Sequence, residues 1–357
     1  MSKVDRYYIE AGGRLLDVLE LFSRYERLRL SDVVADLDLA KSTAFRCLYT
    51  LEKKGYIERA RDGQTWRRRP RRVGLLSVSE KIPFVAEVEK GIQSLAEAAG
   101  FTLLVRRHYF NPSLAVEGTT QLLAEGASLL VVYNPDEHVS HVIADRCACA
   151  RTPVIAITFP VPGACLFGIN NYRAGLTGGE ALGQYVLTSW NRSLDHVVLL
   201  DIPGSSPAQS ARMTGMLEGL RQFVAVPDEA VSHFHAGRES LRADELMKNF
   251  LRSNPQMRRI AVLCYNDVNA MGALRATEEC GRTADVRILS QGGVAEVRAA
   301  IARRGSALWG AVAHFPERFG ARLVPLIQNI LRGEPMPQTV YTEHALLTRA
   351  SLRLYYR

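Results

Sequence analysis

Between Lys41 and Thr50 the chain places Lys41, Ser42, Thr43, Arg46, Tyr49 and Thr50 along one side of a segment of helical length. Residues three and four apart share a helix face, so these groups would project together. Hydroxyls, a phenol and a guanidinium can hydrogen-bond base edges, and the cations can meet phosphates. Further on, Arg67, Arg68 and Arg69 open the run RRRPRR, arginines on both sides of Pro70. Such a block repels itself and lies at the surface, where it can reach phosphates or a narrow minor groove. The alternative for it is a solvated linker. Catalytic spacings are missing: there is no G-x-S-x-G elbow, no G-x-x-x-x-G-K-S/T loop and no H-E-x-x-H. Cys147 and Cys149 form C-x-C rather than C-x-x-C, and no second Cys/His cluster stands at ligand spacing. Neither an enzyme nor a bound metal or cofactor is expected.

The elements that must hold the polar face are legible in the same stretch. Leu15, Leu16, Val18, Leu19 and Phe22 recur at helical spacing and predict a first helix over Gly13–Phe22. Ser31 reads as the N-cap of a second, with Asp32 in its first turn and Val33, Val34 and Leu37 inside. After a turn at Asp38 and Leu39, the stripe Ala44, Cys47, Leu48 and Leu51 predicts a third helix over Lys41–Lys54, stopped by Gly55. Tyr56–Arg59 reads as a strand, Arg61-Asp62-Gly63 as a turn, and Trp66 with the arginines after it as a returning strand. Helix, helix, turn, helix and hairpin make a winged helix-turn-helix, whose second motif helix fits the major groove of double-stranded DNA. A protein-interaction module with the same core is the alternative.

Charge agrees with a nucleic-acid-binding head. Of the net +8, residues 1–72 hold 17 Lys+Arg against 11 Asp+Glu, while the rest hold 28 against 26. The 357 residues call for more than one domain, and 47% hydrophobic with 23% charged residues is an ordinary globular composition. No apolar run approaches the roughly 18 residues of a membrane span. The start MSKVDRYYIEAGGR lacks a secretory apolar core. A cytoplasmic protein without membrane contact, its cysteines free thiols, is expected.

From Val73 onward the pattern changes to strand–helix alternation. Apolar runs predict strands at Val73–Val78, Thr102–Val105, Leu129–Tyr133, Val154–Thr158, Val197–Asp201, Ile260–Cys264, Val286–Leu289 and Leu308–Ala313. Amphipathic segments such as Phe84–Ala99, Leu114–Glu125 and Arg173–Trp190 predict helices between them. Continuous apolar runs suit parallel strands buried on both faces, and repeated βα units imply doubly wound sheets. The length exceeds one such sheet, so an α/β body of two lobes is expected, with a crevice at the carboxyl ends of the strands. The expected division is a head at 1–66, a basic linker at 67–72 and a body at 73–357. The chain is expected to cross between lobes near 172–176 and again near 290–315.

Two resemblances add to this reading. LSDVVADLDLAKSTAFRCLYTLEKKGYIER (30–59), through Leu39–Thr43, Arg46 and Leu51–Ile57, resembles the DNA-binding domain of the isocitrate-lyase-regulator (IclR) family. In that family this segment is the recognition helix running into the wing. The body resembles the type I periplasmic-binding-protein fold used by lactose-repressor-like regulators. VGLLSVSEKIPFVAEVEKGIQSLAEAAGFTLLV (73–105) looks like its first strand, Pro-Phe loop and first helix. GINNYRAG (168–175) looks like a strand-to-hinge segment, and SARMTGMLEGL (210–220) places Arg212 like the family's sugar-clamping arginine. CYNDVNAMGAL (264–274) matches an Asn-Asp-x-x-Ala-x-Gly block, and AVAHFPERFG (311–320) a last crossover.

The resemblance implies ligand contacts at Phe84, Asn170, Asn171, Arg212, Asn266, Asp267, Gln291 and His314. The structural alternatives are a cap for the helix Val268–Cys280 at Asp267 and core packing for Phe84 and His314. Two departures stand out. Ile82 replaces an Asn common before the Pro-Phe pair, and Gly292 falls where many sugar-binding members carry a carboxylate. Gln291 compensates in one reading. In the other, Arg212, with Arg106 or Arg107 near the cleft, suits a ligand with negative charge. The implied function is a DNA-binding transcription regulator, a repressor in kind. It would act as a homodimer on operator DNA, under control of a sugar or sugar derivative between the lobes. A cytosolic solute receptor acting through protein partners is the alternative.

Overall fold

The computed structural model describes residues 7–60, 62–204 and 206–356. The chain divides into two compact units, Met1–Arg71 and Arg72–Arg357.

The head runs α1 (Glu10–Arg24), β1 (Leu28–Arg29), α2 (Leu30–Leu37), α3 (Lys41–Lys53), β2 (Ile57–Arg59) and β3 (Thr65–Arg68). The apolar stripes meet in one core, where Val18, Phe22, Val33, Ala44, Leu48 and Leu51 pack with Ile57 and Trp66 of the wing. Ser31 is not the cap of α2. The helix starts two residues earlier, at Leu30 with Arg29 as its N-cap, and Asp32 closes its first turn by accepting the Arg29 N–H at 2.6 Å. A left-handed Asp38 (φ 48°) ends α2, and Gly55 (φ 79°) follows α3. The wing holds three strands rather than two, because β1 pairs antiparallel with β3 on the side away from β2. A strand as short as Leu28–Arg29 has no periodicity to read. Behind Arg61, which lies outside the described residues, Asp62 accepts the N–H groups of Gln64 and Thr65 and the Thr65 hydroxyl. Those bonds hold its carboxyl down at about 2.

The body opens with β4 (Arg71–Ser77), α4 (Pro83–Ala96), β5 (Phe101–Arg107), α5 (Pro112–Ala124), β6 (Ala127–Val132), α6 (Glu137–Cys149), β7 (Val154–Ile157) and β8 (Cys165–Gly168). A second series follows: α7 (Asn171–Ser189), β9 (His196–Asp201), α8 (Pro207–Arg221), β10 (Val231–His235), α9 (Ser240–Ser253), β11 (Ile260–Cys264), α10 (Asp267–Glu279), β12 (Val286–Gly292), α11 (Ala295–Ala302) and β13 (Leu308–Ala313). The chain ends with α12 (Phe319–Leu331), β14 (Thr339–Tyr341), β15 (Ala345–Thr348) and α13 (Leu352–Tyr355). One sheet has the order β14-β8-β7-β6-β4-β5 and the other β10-β9-β11-β12-β13-β15. The pairs β4–β6, β6–β7, β7–β8 and β8–β14 are parallel, as are β9–β10, β9–β11, β11–β12 and β12–β13; β15 runs antiparallel to β13. Leu129–Val132 and Ile260–Cys264 are wholly buried, which is why these strands read as unbroken apolar runs.

The chain passes between the sheets three times. Asn170 already caps α7, so the first passage lies at 169–170, ahead of the 172–176 that the pattern suggests. The second lies at 314–318, after β13. A third, at 342–344, follows from β14 joining β8 while β15 joins β13. β10 is hidden from pattern reading because Ser232, His233 and His235 dilute an edge strand. No helix among the described residues is long and apolar enough to cross a membrane.

Candidate functional site

One side of the crevice rests on a close helix pair, α7 and α8, that packs against the sheet of β9, β11, β12 and β13. On α7, Gly175 and Gly179 face α8 so closely that a Cβ on either would meet a backbone carbonyl oxygen, of Arg212 or Met216, at 2.1 Å. Gly215 and Gly219 make the same approach from α8. This brings Arg212 against Asn171. Arg212 is only 6% exposed. It donates to Asn171 Oδ1 from Nε (3.0 Å) and Nη2 (2.6 Å), and to the Tyr265 carbonyl from Nη1 (3.1 Å). Its guanidinium lies over the Tyr265 ring at 4.6 Å. All of these partners are neutral.

Asn170 and Asn266 are helix caps. Asn170 Oδ1 accepts the Arg173 N–H at 3.0 Å, and Asn266 Oδ1 accepts the Asn269 N–H at 2.9 Å. The cap of α10 is therefore Asn266, not Asp267. Asp267 instead accepts the Ser290 hydroxyl at 2.5 Å and the Val294 N–H at 2.8 Å, pinning the turn after β12. Burial raises its carboxyl, and those hydrogen bonds work against the rise. Gly292 has φ 139°, and a Cβ there would stand 2.5 Å from Asp267 Oδ2. The space where the family pattern puts a carboxylate is thus closed by Asp267. Beside it His314 Nε2 donates to Gln291 Oε1 at 3.0 Å, and Gln291 Nε2 donates to the Ala174 carbonyl at 3.4 Å. Burial, then the Arg212 charge, pushes His314 well below its ordinary range, so the ring is neutral.

The other wall is aromatic. Phe84 is half-buried, with its ring 5.5 Å from Phe319 and 6.1 Å from Tyr133; Tyr133 packs edge-on to Phe159 at 4.9 Å. Burial pushes the Tyr133 hydroxyl up, and the phenol senses Tyr265, Arg212 and Arg238 from the opposite wall. Sequence reading passed over Tyr133, Phe159, Tyr265 and Arg238. The available signal was position, since each tyrosine directly follows the carboxyl end of a strand, β6 or β11. Ser77 Oγ ends β4 and Thr158 Oγ1 follows β7; both are buried without a hydrogen-bond partner. Toward the outside, His108, Asn134, Ser206 and Arg238 line a cavity of about 350 Å³, and Arg238 stacks on Phe110 at 4.6 Å.

Arg106 and Arg107 are not free cleft charges. Arg106 pairs with Glu125, and Arg107 pairs with Glu80 at 2.9 Å and Glu89 at 2.6 Å. Among the described residues no cluster of His, Cys, Asp or Glu is arranged to hold a metal ion.

In the head, Lys41, Ser42, Arg46 and Tyr49 of α3 are exposed, and Thr43 and Thr50 are half-buried. Thr50 Oγ1 donates back to the Arg46 carbonyl at 2.7 Å. Phe45, not anticipated from the stripe, is 42% exposed and stacks on Tyr49, with ring centroids 6.3 Å apart. Lys53 lies 5.5 Å from the Tyr49 ring. On the wing Arg67 is held by Glu58 at 2.6 Å, whereas Arg68 and Arg69 are exposed.

Residues 73–335 match the family model of the periplasmic binding protein domain, and residues 13–61 that of the IclR helix-turn-helix domain. The ribose import binding protein RbsB of Salmonella typhimurium is 26% identical over 253 residues, covering 71% of this chain and 82% of that protein. The HTH-type transcriptional regulator IdnR of Escherichia coli is 23% identical over 250 residues, covering 68% of this chain and 69% of that one. A periplasmic solute binding protein of an ABC transporter from Actinobacillus succinogenes, solved with D-allose, superimposes with a TM-score of 0.70 at 15% identity. That superposition covers 80% of this chain and 100% of the other.

Proposed function

This chain belongs to the periplasmic binding protein domain family, and we propose that it is a transcription regulator whose DNA affinity is set by a small molecule held between its lobes. The observation that carries this reading is the union, in one chain, of an IclR-type head with a cleft-forming body. Ser42, Thr43, Arg46, Tyr49 and Thr50 of α3 read base edges in the major groove, and Lys41 with the wing arginines Arg68 and Arg69 meets phosphates. Arg67 contributes less, being paired with Glu58. The regulator works in the cytoplasm as a homodimer on two half-sites, without cofactor or catalysis.

The effector is sugar-like. Support comes from the ribose import relative and the allose-bound structure. Arg212, Asn171, Asn170 and Asn266 supply the dense polar contacts that hydroxyl pairs need, and Phe84 and Tyr133 supply rings for an apolar sugar face. Gln291 and His314 line the same side, and Asp267 shapes it indirectly through the turn that it pins. In this reading effector and DNA are coupled because the open and closed arrangements of the lobes differ in affinity for both. The test is a mobility shift on the DNA upstream of the protein's own gene, with and without candidate sugars. Absence of any shift at low salt defeats the proposal.

A second reading, a solute receptor acting through a protein partner, is favoured by one observation, the exposed Phe45–Tyr49 stack on α3. Replacing Arg46 and Tyr49 separates the two readings, since in a partner interface neither change alters DNA affinity.

A further inference from the structure

The most enclosed cation of the cleft has no counter-charge among the described residues. Arg212 is nearly enclosed, yet its hydrogen-bond partners are one amide oxygen and one carbonyl, and its stacking partner is a phenol ring. Arg238, on the cavity wall, stacks on Phe110. Neither takes part in an ion pair among the described residues; the pairs that do form involve other cations.

Among the described residues no carboxylate of this region forms an ion pair with Arg212 or Arg238. Asp267 serves Ser290 and the Val294 N–H. Asp201 accepts from the Ile202 N–H at 2.7 Å and faces His233 at 3.2 Å. Asp136 caps α6 through the Val139 N–H at 3.0 Å. Glu80 and Glu89 neutralise Arg107. Glu137 and Glu239 are exposed to water, where their fields are screened. Nor can a carboxylate be supplied at the end of β12, where Gly292 (φ 139°) and Gly293 (φ 81°) have left-handed backbones and the Asp267 side chain fills the space beside Gly292. The His314–Gln291 pair adds no negative charge.

Desolvating a cation is costly unless a counter-charge or a full set of charge-assisted hydrogen bonds meets it. A neutral polyol closing on this cleft would complete the burial of Arg212 and bring no charge in return. An anion would bring one, through the short charge-assisted bonds a guanidinium favours.

We propose that the effector is an anion, a small polyhydroxylated acid whose carboxylate or phosphate pairs with Arg212, with Arg238 adding attraction from the cavity wall. This rests on the cleft being the effector site, and it replaces "sugar" by "sugar acid or sugar phosphate". The aromatic rings of Phe84 and Tyr133 still pack against the carbon skeleton, and the caps Asn170 and Asn266 still offer amide groups to hydroxyls.

The test is calorimetric titration of the full chain with matched probes: D-ribose, D-ribonate and D-ribose 5-phosphate, then D-glucose, D-gluconate and D-glucose 6-phosphate, then D-galactose and D-galacturonate. At least one acid should bind about tenfold or more tightly than its neutral parent, and raised salt should weaken that acid selectively. The carboxylate and phosphate arms tell which group is read. Arg212→Gln should abolish the preference and Arg212→Lys should keep part of it. Should the buried change unfold the protein, Arg238→Met, on an exposed side chain, should give a smaller loss for the acid and none for the neutral sugar. A neutral parent binding as tightly as its acid overturns the charge inference and leaves the effector cleft standing. Silence from every probe overturns both.

Discussion

Arg212 and Asn171 sit on different helices, yet the guanidinium sends two of its hydrogen bonds to one oxygen, Asn171 Oδ1, at 3.0 and 2.6 Å. The contact exists because α7 and α8 touch backbone to backbone through glycines. The buried arginine is thus positioned by glycines at a helix–helix contact.

Gly175→Ala should break that positioning. The new Cβ would stand 2.1 Å from the Arg212 carbonyl oxygen, so the helices must separate. Overpacking of this kind costs about 1–3 kcal/mol. Chemical denaturation should show that loss, and effector binding should fall further than stability alone explains.

Asn171→Ala should leave the fold intact but weaken it by about 1–3 kcal/mol, because two N–H groups of a buried guanidinium lose their acceptor. A matched Asn171→Asp variant should recover stability and lose affinity for anions, since the new carboxylate occupies Arg212. Calorimetry beside thermal melting checks both halves.

Protonation of His314 opposes folding. Burial and the Arg212 charge depress its pKa, so its stabilising effect is present above about pH 6.5, the unfolded value, and is lost as pH falls through it. His108, depressed by burial, acts in the same direction. Asp267, raised by burial, takes up protons in the fold and works the other way. The melting temperature should therefore drop from about pH 7.5 to about pH 5.5, and His314→Gln should flatten that dependence by up to about 1.4 kcal/mol per pH unit.

The wing arginines should not be equivalent. Arg68→Ala and Arg69→Ala remove exposed charge, whereas Arg67→Ala also releases Glu58. Each of the first two should lower the salt slope of DNA binding by about 1, the signature of one lost phosphate contact. Arg67→Ala should change the slope less. Fluorescence anisotropy across a salt series separates them.

Much of the fold is legible in the sequence, and for a physical reason. The head is built from local periodicity, so its helices and the left-handed stop at Gly55 are visible in spacing alone. Central strands such as Ile260–Cys264 are buried on both faces and show as apolar runs. What stayed hidden depends on tertiary context. β1 is too short for any pattern, and β10 mixes histidines into an edge. The cap of α10 falls on Asn266 rather than Asp267 because a buried Ser290 and a backbone N–H compete for the carboxylate. Arg106 and Arg107 were candidates by position, but Glu125, Glu80 and Glu89 reach them across elements distant in sequence. Tyr133 and Tyr265 end apolar runs, and nothing in the run itself says that the next aromatic ring faces a cleft.

In the proposed mechanism one chain couples a cleft ligand to DNA. Its most direct test is the affinity of the full-length protein for its own upstream DNA, measured by anisotropy at fixed salt, with and without the tightest-binding acid from the titration series. That affinity should change by about fivefold or more, in either direction, and Arg212→Gln should abolish the change while leaving ligand-free DNA affinity intact. Equal DNA affinity with and without a ligand proven to fill the cleft would contradict it.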